Sequence, residues 1–172
     1  MKWEAKVIGE TVYDMSHLHP CVITMTWPAK GELPEKTVGV AVEYSMHCFT
    51  AAISIGSAIY DSALQYQDSK ETRQFHLERY EHSKALPALI QNLSDRLCYT
   101  TPHRNYFIPM PHPDGVSEHL RLFVYFVLAK RRREDADLTM YIESAHCKEK
   151  PKLGRRVRGC SFKELCGKIL RS

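Results

Sequence analysis

Two apolar segments separated by a charged turn constrain the fold of this chain more than any other feature. Residues 120–129 are almost wholly apolar apart from Arg121, and residues 138–144 alternate between apolar and polar side chains. β-Branched and aromatic residues favour strands, and a period of two buries one side of each strand. Because residues 130–135 between them form a short and highly charged turn, we predict an antiparallel hairpin.

Further strands are predicted in the amino-terminal half. Residues 21–27 are rich in β-branched and aromatic side chains and end at Pro28, and the turn over 29–36 leads into a strand over 37–50. A strand over 6–14 is expected to break at Gly9, and residues 105–110 are expected to join the later hairpin. Residues 51–60 fit either a short helix or a buried turn.

Helical spacing is found in two places. From a cap at Asp68 or Ser69, apolar residues recur every three or four positions, which predicts a central helix. Pro87 lies inside this pattern, so we expect a kink or two abutting helices. Near the carboxyl end, Ser161 and Glu164 have the spacing of a capping box and predict a short amphipathic helix.

These elements predict an α+β fold, with a mainly antiparallel sheet packed against the central helix and a short C-terminal helix. A length of 172 residues is typical of a single domain. We predict that this domain spans residues 1–147 and that residues 148–172 form a basic extension. The sequence contains no apolar run of about 20 residues and no secretory apolar core. We therefore expect a cytoplasmic protein with reduced cysteines and no membrane partner.

The chain contains nine histidines and six cysteines, which raises the question of a metal site. His17, His19 and Cys21 would share one face of an extended segment and would supply three zinc ligands. The adjacent pairs at 47–48 and 146–147 would instead place imidazole and thiol on opposite faces, which disfavours both a shared metal site and a cysteine nucleophile. We predict no metal and no cofactor, with cysteines in the core, and leave zinc at the first trio open.

Residues suited to acid–base chemistry on a phosphodiester lie on the predicted central helix. His76, Arg79 and Tyr80 share one face at spacings of three and four residues, and Arg73 precedes them. His47 lies at the end of a predicted strand that would flank this face. Histidine suits proton transfer and arginine suits developing charge, so we predict His47, His76, Arg79 and Tyr80 as catalytic and Arg73 as a binding residue. A solvated helix surface is the alternative.

Charge points to an anionic partner. Residues 148–172 contain nine Lys or Arg and two Glu, whereas the whole chain has a net charge of +4. Such an extension suits RNA, or it is a solvated tail. The predicted binding residues are Arg104, Arg155, Arg156 and Arg158, and the aromatic residues before and after Arg104 suit base stacking.

The sequence has no glycine-rich phosphate loop, Gly-x-Ser-x-Gly or His-Glu-x-x-His motif. The arrangement of helix, antiparallel sheet, His, Arg and Tyr residues and basic tail is similar in outline to small microbial ribonuclease toxins, in architecture only. The resulting hypothesis is a nucleic-acid-interacting protein, either a metal-independent ribonuclease or a binder. The alternative is a non-catalytic adaptor whose basic tail and terminal helix dock on another protein.

Overall fold

Strands predominate in the computed structural model, which describes residues 2–27, 35–53, 64–68, 71–103, 105–131, 135–149 and 159–172. The predicted turn over 29–36 and the undecided segment over 51–60 lie largely outside these residues. The strands are β1 Lys6–Ile8, β2 Thr11–Tyr13, β3 Cys21–Trp27, β4 Lys36–Tyr44, β5 Thr50–Ala52, β6 Gln65–Gln67, β7 Thr72–Phe75, β8 Leu97–Thr100, β9 Tyr106–Pro111, β10 Leu120–Lys130, β11 Leu138–Glu149 and β12 Gly159–Ser161. The α-helices are α1 Leu77–Ser83, α2 Leu86–Gln91 and α3 Phe162–Arg171, and 3-10 helices cover Ser16–Leu18 and Met46–Cys48.

The largest sheet has seven strands in the order β12-β8-β9-β10-β11-β4-β3. Neighbouring strands in it are antiparallel except β4 and β11, which pair in parallel from Val40 opposite Leu138 to Tyr44 opposite Ile142. Two hydrogen bonds hold the start of this parallel pair: the Asp137 backbone N–H donates to Gly39 O, and the Gly39 N–H donates to the Asp137 carboxylate. The sheet is therefore mixed, and the prediction of α+β with a mainly antiparallel sheet is confirmed only in its coarser part.

The predicted hairpin over 120–144 is β10 and β11, which pair antiparallel along their length. The predicted period of two is confirmed in β11, where Leu138, Met140 and Ile142 are buried in the core. Leu122, Val124 and Phe126 of β10 lie in the same core. We call the opposite side, which carries Arg121 and Tyr125, the outer face. The predicted hairpin of β3 with β4 and the strand near residue 105 are also confirmed.

The central helix begins later than predicted. Residues 72–75 form β7, in which Arg73 and Phe75 are buried on one side of a small three-stranded sheet. Helix begins at Leu77, where the His76 side chain caps it by accepting from the Arg79 backbone N–H. The expected interruption at Pro87 is confirmed, because α1 ends at Ser83 and Pro87 lies in the first turn of α2.

The terminal helix is α3, and the predicted capping box of Ser161 and Glu164 is present. Its apolar residues Phe162, Leu165 and Cys166 are buried in the same core as β10. Residues 159–172 of the basic extension therefore pack on the sheet.

The predicted break at Gly9 is a tight turn between β1 and β2, with a positive φ of 59° that favours glycine. None of the helices in the described part of the chain is long and apolar enough to cross a membrane.

Candidate functional site

A cavity of about 950 Å³ opens on the outer face of the sheet where β10 and β11 meet the end of β4. Its aromatic lining includes Trp3, Tyr125 and Tyr141. The polar side chains that line it include several acceptors and two imidazoles: Glu43, His47, Asp68, Glu71, Asn105, Glu143, His146 and Lys148. Volume and mixed lining fall in the range of sites for small organic groups.

The parallel pairing of β4 with β11 positions His47. Directly after β4, the Ser45 backbone N–H donates to Ile142 O at 2.9 Å, and its hydroxyl donates to Glu143 O at 2.6 Å. The same hydroxyl accepts from the His47 backbone N–H at 3.0 Å and caps the 3-10 helix. His47 is thus held on a rigid turn at the cavity edge, while the neighbouring Cys48 is buried in the core.

His47 forms a carboxylate–imidazole pair with Glu71. His47 Nε2 lies 2.7 Å from Glu71 Oε1, and both side chains are partly exposed. The other oxygen, Glu71 Oε2, accepts from Arg73 Nη1 at 2.9 Å. The hydrogen bond from Arg73, followed by the charge of His47, lowers the pKa of Glu71 below its ordinary value of 4.5. An ionised Glu71 therefore orients the His47 ring at neutral pH.

A bulge in β11 brings two further side chains to the cavity. The register with β10 shifts between Tyr125 and Phe126, so that Glu143 and Ser144 both line the cavity. Glu143 Oε2 accepts from Asn105 Nδ2 at 2.5 Å. The bulge thus adds a fixed carboxylate acceptor beside His146.

His146 is a neutral imidazole on the floor of the cavity. Burial lowers its pKa to about 4, helped by the nearby charges of Lys148 and Arg79. Its Nδ1 is buried and has no hydrogen-bond partner within the described residues. The ring stacks on Tyr125, with centroids 5.5 Å apart and planes 15° apart.

The stack continues across the outer face of the sheet as an aromatic row of Tyr99, Phe107, Tyr125 and His146, one ring from each of β8 to β11. Tyr99 and Phe107 are 5.3 Å apart at 26°, and Phe107 and Tyr125 are 5.8 Å apart at 35°. All four rings are partly exposed. Lys148 Nζ lies 5.5 Å from the ring centre of Tyr125, the third ring of the row.

The other predicted catalytic residues serve the packing of α1 rather than the cavity lining. Arg79 Nη1 donates to the carbonyls of His47 and Thr50 at 3.2 and 2.9 Å, and His76 caps the helix. Tyr80 is only 5% exposed, and its hydroxyl donates to Asp14 O at 3.0 Å. The structure therefore brings Arg79 against the backbone of His47 but keeps His76 and Tyr80 out of the cavity lining.

The predicted binding residue Arg73 is buried, and it donates to the Thr50 hydroxyl at 2.9 Å as well as to Glu71. Arg104, Arg155, Arg156 and Arg158 lie outside the described residues.

The first histidine–cysteine trio does not converge. His17 Nε2 bonds the Ser83 hydroxyl at 2.8 Å, His19 Nε2 bonds Trp3 O at 3.0 Å, and Cys21 is exposed in β3. Another set does converge. The ligand atoms of His82, His112 and Cys147 all lie within 4.8 Å of one another, on the core side of β11.

This second cluster, which the sequence prediction missed, joins α1, the residue after β9 and β11. His82 Nδ1 lies 3.3 Å from Cys147 Sγ, and the two imidazole centres are 4.9 Å apart. Burial lowers the pKa of His82 and raises the pKa of Cys147 to about 11. Side chains of this kind, two imidazoles and one thiol, are zinc ligands.

A model of the YjaZ family matches residues 5–170, which is nearly the whole chain. The chain belongs to the YjaZ family. No curated protein and no solved structure matches it significantly. The matched residues include His82, His112 and Cys147 and the lining of the cavity apart from Trp3.

Proposed function

We propose that this protein binds unpaired RNA on the outer face of its sheet, with bases stacked on the aromatic row. The observation that carries the proposal is the aromatic row from Tyr99 to His146, in which neighbouring ring centres are 5.3–5.8 Å apart and Lys148 lies beside Tyr125. Partly exposed rings in a row accept the faces of unpaired bases, since every base has a π-face. A cation beside the row is suited to the phosphate that follows a stacked base.

The cavity is suited to one base at the end of the row. Carboxylates such as Glu143 accept hydrogen bonds from the N–H donors on base edges, and the stacked pair of Tyr125 and His146 adds aromatic surface to the lining. Because the carboxylates of the lining would repel a phosphate inside the cavity, we expect the RNA backbone at the rim, near Lys148.

The catalytic version of the proposal assigns acid–base chemistry to His47. With Nε2–H donated to Glu71, the other ring nitrogen is the basic one. That nitrogen would take the proton of a 2′-hydroxyl while the 2′-oxygen attacks phosphorus. The bond from phosphorus to the 5′-oxygen then breaks, and the imidazolium returns the proton to the leaving oxygen.

Binding is tested with fluorescently labelled single-stranded RNA at two salt concentrations. Tyr125→Ala is expected to weaken binding by roughly 5- to 150-fold, the loss of one stacked base. The matched control is Val127→Ala, which removes an exposed apolar side chain from the same strand and face. Affinity should also fall as salt rises. Equal affinity of Y125A and wild type, or no binding by wild type, would overturn the proposal.

Cleavage is tested separately on the same RNA, with and without a chelator, because the proposed chemistry uses no metal. His47→Ala should lower the rate by roughly 10²- to 10⁴-fold, the usual contribution of a general base. Glu71→Gln should lower it less, because the ring remains but loses its orienting charge. The control is His119→Ala, which alters an exposed histidine away from the cavity lining. Undiminished cleavage by H47A would remove the catalytic version and leave the binding version standing.

The alternative of an adaptor that docks through its terminal helix stays a prediction. The apolar side of α3 gives it no support, because Phe162, Leu165 and Cys166 are already buried against the sheet of the same chain.

A further inference from the structure

We propose that His82, His112 and Cys147 form a binding site for a divalent metal ion of the zinc type. It is the one group of three such ligands that converges within the described part of the chain. The ligands come from three segments that are distant in sequence, so the site depends on the fold. It is independent of the proposed RNA binding, because Cys147 lies on the core side of β11 while the aromatic row lies on the outer face.

The separations of the ligand atoms suit a tetrahedral ion. With metal–nitrogen bonds of about 2.0–2.1 Å and a metal–sulfur bond of about 2.3 Å, tetrahedral ligands are roughly 3.4–3.6 Å apart. His82 Nδ1 and Cys147 Sγ already lie 3.3 Å apart. The largest separation in the cluster is within 4.8 Å, so closure around an ion needs a side-chain movement of about 1 Å.

The surroundings of His112 resemble the outer shell of a metal site. His112 Nδ1 lies 2.7 Å from Asp114 Oδ1, and the ring is largely buried. Asp114 is itself fixed, since it accepts from the backbone N–H groups of Val116 and Ser117 and from the Ser117 hydroxyl at 2.6 Å. A carboxylate that holds one ring nitrogen orients the other toward a metal and makes it a better ligand.

The ligand set favours zinc over the hard cations. Two imidazoles and one thiolate are nitrogen and sulfur donors, whereas magnesium and calcium take oxygen. Three protein ligands leave a fourth tetrahedral position, as in open zinc sites. Glu78 lies one helical turn before His82 on the same side of α1, so either its carboxylate or a water is suited to this position.

A cysteine nucleophile is the competing interpretation of the same geometry, because an imidazole beside a thiol also activates cysteines. That interpretation needs only one imidazole, and it leaves the convergence of His112 without a purpose. A metal ion uses all three side chains.

The test uses the full-length protein, stripped of metal with a chelator and titrated with Co²⁺. Cobalt in a tetrahedral site with a thiolate ligand gives intense visible d–d bands and a thiolate-to-cobalt charge-transfer band. We expect one Co²⁺ per chain, both spectral features, and full displacement by one equivalent of Zn²⁺. Cys147→Ser should remove the charge-transfer band, and Cys21→Ser, an exposed cysteine in β3, is the matched control that should keep it.

A second variant guards against a folding defect. Asp114→Asn changes an exposed side chain that contacts no metal, and it should weaken Co²⁺ binding by roughly 10- to 100-fold while the charge-transfer band persists at saturation. Absence of the charge-transfer band in wild type, or its persistence in C147S, would overturn the metal site. Metal binding in a protein that does not bind RNA would leave this inference intact.

Discussion

Replacement of Phe162 by alanine tests whether the end of the basic extension is an integral part of the domain. Phe162 is the first residue of α3 and is completely buried. Its ring meets Phe126 of β10 edge to face, with centroids 5.8 Å apart at 64°. The substitution would leave a cavity between the helix and the sheet.

The expected loss of unfolding free energy follows from this burial. Truncation of a fully buried phenylalanine costs about 3–5 kcal/mol, because apolar transfer energy is lost and the surrounding core collapses only in part. The aromatic contact with Phe126 favours the middle of that range, about 4 kcal/mol. With a urea m-value of about 2 kcal/mol per molar, the midpoint should fall by roughly 2 M.

The assay is equilibrium unfolding in urea, followed by far-ultraviolet circular dichroism and by fluorescence. The matched control is Val116→Ala, at a position that is 80% exposed, where a change of less than about 0.5 kcal/mol is expected. A loss below about 1 kcal/mol for F162A would refute the reasoning, because it would mean that α3 contributes little to the core.

Three further outcomes are expected. Zinc at 100 times its dissociation constant should raise the unfolding free energy by about 2.7 kcal/mol, and Cys147→Ser should abolish the gain, as measured by thermal unfolding. The unfolding free energy should decline as pH falls below 4.5, because the pKa of Glu71 is lowered in the folded state and the unfolded state therefore binds the proton first. A pH series of urea titrations should show a shallower decline for Glu71→Gln than for wild type. Ser161→Ala removes the cap of α3 and should cost about 1 kcal/mol in the same urea assay, whereas Ser172→Ala at the exposed end should cost almost nothing.

The strands of the two predicted hairpins, β3 with β4 and β10 with β11, were predictable from the sequence because their patterns are local. The strands β6, β7, β8 and β12 were not predicted. β10 and β11 follow each other along the chain, and the charged turn between their two apolar segments indicates the pairing. The alternation over 138–144 indicates the buried side of β11. The predicted start of the central helix was wrong, because the spacing of apolar residues near Phe75 fits a helix and a strand equally well. Over 72–75 the tertiary contacts decide, since Arg73 is buried beside Thr50 of β5.

In the candidate site, the sequence predicted single residues with suitable side-chain chemistry but not the residues that lie next to them in the fold. His47 was predicted as an acid–base residue and lines the cavity, but its partner Glu71 was not among the predicted site residues. The sequence around His112 did not indicate a metal ligand, because His82 and Cys147 are 30 or more positions away along the chain. Such clusters depend on which segments the sheet order brings together, and a single sequence does not contain that order.

The parallel pair of β4 and β11 has a consequence for how the chain folds. Gly39 and Asp137, whose hydrogen bonds hold the start of this pair, are 98 positions apart along the chain. The β3–β4 hairpin and the β9–β10–β11 meander can each form from nearby segments, whereas this junction requires a long loop to close, which is slow. We therefore expect the two halves to acquire structure first and to join last. In pulse-labelling hydrogen exchange, the amides of 138–142 that bond β4 should become protected after those of β10.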